Sequence, residues 1–127
     1  MAATGNFLLD KGYNAAGALT IYRAVKFTAE ETVGPVAAKT DVIAGVVQYG
    51  VTTAEINRGK GASVRVAGAT EWEAGDVCTV GGLAGLMADG RVRDAVTGDR
   101  IVGQFRQGAA AAGDRASVNV DVTGHIL

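Results

Sequence analysis

Nineteen glycines interrupt this 127-residue chain at short intervals, and the runs between them favour Val, Ile, Thr and Tyr. β-Branched and aromatic side chains pack well on a pleated surface, while glycine supplies the tight turns between strands. The pattern therefore predicts a mainly β fold, a small sandwich or barrel-like domain of short strands. Helix has little support, because no window of a dozen residues keeps apolar positions at helical spacing without an intruding glycine. The clearest strands are Ala62-Ser-Val-Arg-Val66 and Ala116-Ser-Val-Asn-Val-Asp-Val122. Successive strand side chains point to opposite faces, so Val118, Val120 and Val122 fall on a core face and Ser117, Asn119 and Asp121 on a wet one.

These two strands also carry an internal duplication. Ile43-Ala-Gly45 precedes the first much as Ile101-Val-Gly103 precedes the second. The first connection is longer and holds Thr52-Thr-Ala-Glu-Ile56, where Thr52 or Thr53 can cap a helical turn. Leu19 to Phe27 reads as a further strand, but strict alternation puts Arg23 on its apolar face, which predicts a bulge near Tyr22. Gly34-Pro35 predicts a turn, Glu30-Glu31 a solvated turn, and Asp89-Gly90 a two-residue hairpin turn. Gly81-Gly-Leu-Ala-Gly-Leu86 predicts a turn or tight crossing. Residues 1–12 precede the first convincing strand and read as an N-terminal arm; residues 13–127 read as one β-rich domain.

The chemistry available is sparse. Cys78 and His125 are each the single residue of their type, so a disulfide framework within the chain and a multi-cysteine metal site are excluded. Cys78 within Asp76-Val-Cys-Thr-Val80 reads as a buried strand cysteine acting as a small hydrophobe. His125 reads as an exposed tail residue, and a Cys78–His125 nucleophile–base pair stands as the catalytic alternative. Glu71 and Glu73 flank Trp72, a pattern that suits a carbohydrate- or ligand-binding barrel. The plainer expectation is Trp72 packed inward with both carboxylates in water. Arg58-Gly-Lys-Gly61 lacks the spacing and the hydroxyl residue of a phosphate-binding loop. The interleaved Arg91, Arg93, Arg100, Arg106 and Arg115 with Asp89, Asp94, Asp99 and Asp114 read as a mixed-charge surface. No metal-ligand spacing and no cofactor motif is present, so no catalytic, cofactor or metal residue is expected.

Twelve basic and thirteen acidic residues give a formal charge of −1, so no net field draws the chain to nucleic acid or an anionic membrane. The N-terminal sequence lacks a basic signal region and no apolar run approaches membrane-spanning length, which reads as a soluble protein made in a reducing cytoplasm.

Three stretches carry a resemblance. Tyr13 to Phe27 followed by Lys39-Thr-Asp-Val-Ile-Ala-Gly-Val46, the Glu73-Ala-Gly-Asp76 turn, and Ile101-Val-Gly103 before Ala109-Ala-Ala-Ala-Gly-Asp114 together resemble the small capsid decoration, or head cement, proteins of tailed bacteriophages. The resemblance spans most of the chain. It implies a non-enzymatic homotrimer on the exterior of an expanded capsid, bridging major capsid protein subunits at threefold or quasi-threefold positions. It also implies an N-terminal arm that contacts the capsid, with Phe7, Leu8 and Leu9 as its apolar anchors.

Overall fold

A computed structural model describes residues 8–127. Nine strands and one short helix follow one another: β1 (Leu9–Ala15), β2 (Ala24–Ala29), β3 (Thr32–Pro35), β4 (Gly45–Val47), α1 (Thr53–Asn57), β5 (Ala62–Glu73), β6 (Leu83–Leu86), β7 (Val92–Asp94), β8 (Ile101–Gln107) and β9 (Arg115–Val120). The sheet order is β1-β3-β2-β4-β5-β9-β8-β6-β7, and an additional β1–β5 pairing closes the first five strands into a barrel. On the other side of β5, a parallel bridge between Ala74 and Val92 joins its end to β7. The twelve-residue β5 thus serves both halves, with Gly68 at φ 92° where the strand passes from one to the other.

The duplication seen around Ile43 and Ile101 extends through the whole described chain. Tyr13 pairs with Ala62 and Lys11 with Val64, as Trp72 pairs with Ala116 and Thr70 with Val118. Val25 lies opposite Pro35 and Phe27 opposite Val33, as Ala84 lies opposite Asp94 and Leu86 opposite Val92. Ala24 faces Val46 and Val46 faces Arg65, as Leu83 faces Gln104 and Gln104 faces Asn119. The bridge Leu19–Val51 matches Cys78–Ala109, and the parallel Ala15–Val33 contact matches Ala74–Val92. A one-residue slip would turn every side chain to the other face. So many shared registers make the chain two copies of one five-strand unit, β1 to the start of β5 and the end of β5 to β9.

The unusual backbone recurs in register too. Tyr22 (φ 58°) stands where Gly81 (81°) stands, and Glu31 (52°) where Gly90 (88°) stands. Gly45 and Gly103 occupy the same place at φ 157° and 152°, and a Cβ at either would run into a backbone carbonyl of the next strand, Arg65 or Asn119. The longer first connection is accounted for by α1, whose N-cap Thr52 forms a capping box with Glu55. The Glu55 carboxyl is held down at about 2 by Lys60 and by the Thr52 amide and hydroxyl.

Each unit fills its interior from the same positions with different volumes. The first buries Leu19, Val25, Val47, Val51 and Val64, with Tyr13 packed against them. The second buries Cys78, Ala84, Phe105, Ala109 and Val118 together with Trp72. Cores are packed to crystal-like density, so the two large aromatics, Trp72 and Phe105, are matched by smaller neighbours at Cys78, Ala84 and Ala109.

Several expectations need correction. Leu19 to Phe27 is not a continuous strand: a turn at Ile21–Tyr22 interrupts it, which removes the conflict at Arg23 because the residue lies before β2 begins. Gly34-Pro35 is part of β3, and the turn lies at Glu30–Glu31 instead. Within Gly81 to Leu86 only the two leading glycines turn, and Leu83–Leu86 is β6. Residues 9–12 of the proposed arm pair with β5 and help close the first barrel. Residues 1–7 lie outside the described residues.

Candidate interaction surface

The anchor residues inferred for capsid contact divide accordingly. Phe7 lies outside the described residues, while Leu8 and Leu9 are exposed at the free end of β1, at 45% and 38% of their surface. A register shift between Leu9 and Asp10 marks where β1 begins to pair regularly with β5. Asp10 is held there by Arg65, whose Nε donates at 2.7 Å and Nη2 at 3.0 Å, and this contact lowers the Asp10 pKa below the usual carboxylate value.

The residues with chemical potential are committed to structure. Trp72 is fully buried and its indole N–H donates to the Gly90 carbonyl at 2.7 Å, so neither ring face is open to a ligand. Cys78 is buried, and desolvation followed by Asp94 and Asp76 pushes its thiol up to about 11. A thiol in that state is a poor nucleophile at neutral pH. His125 has an exposed side chain, but its carbonyl accepts from Ile101 N–H at 2.7 Å, tying the tail along β8. Among the described residues no group of three His, Cys, Asp or Glu side chains is placed to hold a metal ion.

The richest polar site, which no local motif marks, lies where the first unit meets the second. The Tyr22–Ala24 segment runs across the second unit: Ala24 N–H donates to the Gly90 carbonyl at 2.9 Å, and Glu73 N–H donates to the Tyr22 carbonyl at 2.8 Å. Arg23 grips the Glu73 carboxylate with two N–H groups at 3.2 Å each, and Arg91 stands 3.9 Å from the same carboxylate. The Arg115 guanidinium covers the Tyr22 ring at 4.5 Å from its centroid. Behind this polar seam Ala24, Val36, Ile43 and Val46 of the first unit join the core of the second. They can do so because Ala24 and Val46 point away from their own unit's interior, where Val25 and Val47 point.

Asp99, at the foot of the second unit, is a second buried polar site. It is fully buried, receives two N–H groups of Arg93 at 2.9 and 3.0 Å and the Val96 amide at 3.2 Å, and lies 3.6 Å from Lys39 Nζ of the first unit. Burial alone would raise its pKa, yet these donors and cations hold it below the usual value. Its counterpart Asp41 is less buried and accepts the Ala37 and Ala38 amides at 2.8 and 3.0 Å. Identical aspartates at matching positions would have flagged the site had the duplication been followed past Ile43 and Ile101.

This fold has a solved counterpart. It is similar to the N base of the head fiber gp8.5 of bacteriophage phi29, with a TM-score of 0.67 and 16% sequence identity, over 93% of this chain and 98% of that chain. At that identity the likeness is one of fold. No protein-family model and no curated protein matches the sequence.

Proposed function

We propose that this chain is a structural protein of a bacteriophage virion, which binds the outer surface of the expanded capsid as a homotrimer and stabilises it by bridging major capsid protein subunits. The observation that carries the reading is the fold likeness to the phi29 head fiber base, end to end in both chains, at a protein whose own description places it in a phage head. The sequence resemblance to head cement proteins points the same way. The closed first barrel, and a second unit whose end strands meet at the Ala74–Val92 bridge, leave few long strand edges among the described residues, which suits a clamp. In a symmetric shell a modest affinity repeated at many sites, each spanning more than one subunit, stabilises the assembly by mass action. The reading includes no catalysis, cofactor, nucleic acid or membrane, and it places synthesis in the host cytoplasm. Leu8 and Leu9 are the described members of its capsid contact.

The test is cosedimentation of the purified chain with expanded and unexpanded heads of the phage that encodes it. Saturable binding to expanded heads, with raised resistance of those heads to heat, is expected. Absence of binding to either form would overturn the proposal.

A further inference from the structure

The junction between the two units has an open counterpart at each end of the chain. On the second unit, the site that receives Tyr22–Ala24 is built from Trp72, Glu73, Gly90 and Arg115. The matching positions on the first unit are Tyr13, Asn14, Glu31 and Gly61, and they line an open groove of about 490 Å³. The segment of the second unit that matches Tyr22–Ala24 is Gly81–Leu83. There Leu83, which takes the place of fully packed Ala24, is 50% exposed, and Val80 beside it is 65% exposed. Leu83, Gln104 and Asn119 edge a further groove of about 410 Å³, on the face that Ala24, Val46 and Arg65 occupy in the first unit. Phe27, which takes the place of fully buried Leu86, is 53% exposed. Each end thus presents one surface of a contact the molecule contains internally, with one difference: Asn14 N–H, in the place of Glu73 N–H, already donates to the Glu31 carbonyl at 2.8 Å, so of the two backbone bonds only the one from Leu83 N–H to Glu31 is left to repeat.

We infer that a second copy of this chain fills the first-unit groove with its Gly81–Leu83 segment, repeating between chains the junction that joins the two units within one. The inference supplies the subunit contact for the trimer proposed above and rests on that reading for its copy number. The steric exchange at the seam supports it. Gly90 has no Cβ because one would lie 2.9 Å from the Ala24 carbonyl and 3.3 Å from the Arg23 Cβ. Glu31 does carry a Cβ; Gly82 opposite it removes the 3.3 Å side-chain contact, while the Leu83 backbone, in the place of the Ala24 O and N at 2.9 and 3.2 Å, must stand slightly farther off than at the internal junction. Glu31 still holds the left-handed conformation of Gly90, at φ 52°, and Gly81 that of Tyr22. The Arg23–Glu73 ion pair becomes Gly82 opposite Asn14, and the contact relies on Leu83 and the neighbouring Phe27 instead. The start of β1, with exposed Leu8 and Leu9, would then follow the end of β9 of the next copy, as the second half of β5 follows the first. Such a contact is heterologous, using different surfaces on the two partners, and closes into a ring when its rotation divides the circle; closure at three copies would place six units around one axis.

The test uses the full chain in a Cys78→Ser background, with Leu83→Cys in one preparation and Glu31→Cys in another, mixed under a mild oxidant that accepts the two thiol hydrogens as the disulfide forms. Native mass measurement of the unmodified chain and head cosedimentation run in parallel. A covalent dimer from the mixture, with little from either preparation alone, is the expected result, and Leu83→Arg should lower self-association at least tenfold with an unchanged circular dichroism spectrum. Dimers from Leu83→Cys alone would mean an isologous contact and overturn the inference. So would a multimeric mass without cross-linking, or a monomer at all micromolar concentrations. If cross-linked rings form but bind no heads, the virion reading fails and this contact stands. If a monomer binds heads, the reverse holds.

Discussion

The first and second units share a frame residue by residue, yet the second is heavily tied and the first is open. Trp72 is fully buried and hydrogen-bonded to Gly90, whereas Tyr13 at the same position is half-buried, packed on one side against its own unit's core and on the other against the exposed Phe27, edge to face at 5.1 Å between ring centroids. Asp99 sits in a closed cage of donors, whereas Asp41 is served by two loop amides and Lys26. The lesson is that strand register in this fold is set by small residues at close approaches, and that the large and charged residues are free to decide which flank is covered. A flank covered by the neighbouring unit collects ion pairs; an uncovered one keeps apolar side chains in water.

The comparison is broken most severely at the aromatic pair. Trp72→Ala should lose about 3–5 kcal/mol in urea unfolding, the usual cost of emptying a buried aromatic site, and Tyr13→Ala distinctly less. Equal losses would mean that the units are equally packed. Next come the matched glycines. Gly45→Ala and Gly103→Ala each force a methyl against a neighbouring carbonyl, and each should cost about 2–3 kcal/mol, in the range of overpacking. A neutral result at one of them would show that its unit does not need the close approach.

Smaller effects separate the aspartates. Asp99→Asn should cost about 1–3 kcal/mol, since buried donors lose a charged acceptor, and Asp41→Asn about 1 kcal/mol or less. Both aspartates have lowered folded pKa values, Asp99 despite desolvation and Asp41 chiefly through the Ala37 amide. Such groups contribute stability that is present above the unfolded aspartate value, near about 3.9, and is lost as pH falls through the lower folded one. Both substitutions remove that contribution, so acid unfolding should begin at a higher pH, more so for Asp99→Asn than for Asp41→Asn, while the stability still lost on acidification becomes smaller in the same order. The smallest effect lies outside the shared frame: Thr52→Ala removes the α1 cap and should cost about 1 kcal/mol by thermal unfolding.

Much of the fold could be read from the chain. Alternating valines marked β9, Asp89-Gly90 marked the β6–β7 turn, and Ile-Ala-Gly and Ile-Val-Gly marked the two copies of one strand entry. The rest was hidden for identifiable reasons. Tyr22 and Glu31 adopt left-handed conformations without the glycine that announces them at Gly81 and Gly90. The strand expected over Ala62–Val66 stops short of Gly68, although β5 continues through that glycine into the second unit. The covered flank could not be seen because its contacts join residues about fifty positions apart whose pairing only the closed units create. Phe7 to Leu9 were named from the resemblance; of these, Leu8 and Leu9 are exposed, and their place beside the end of β1 owes nothing to local sequence signals.

Hydrogen exchange at Ala24 and Leu83, compared between dilute and concentrated protein, tests the shared frame and its extension most directly. Ala24 N–H is already bonded to Gly90 and should stay protected at every concentration. Leu83 N–H, at the matching position, should gain protection as chains associate. Leu83 exchange that does not change while the mass of the assembly rises would contradict the account.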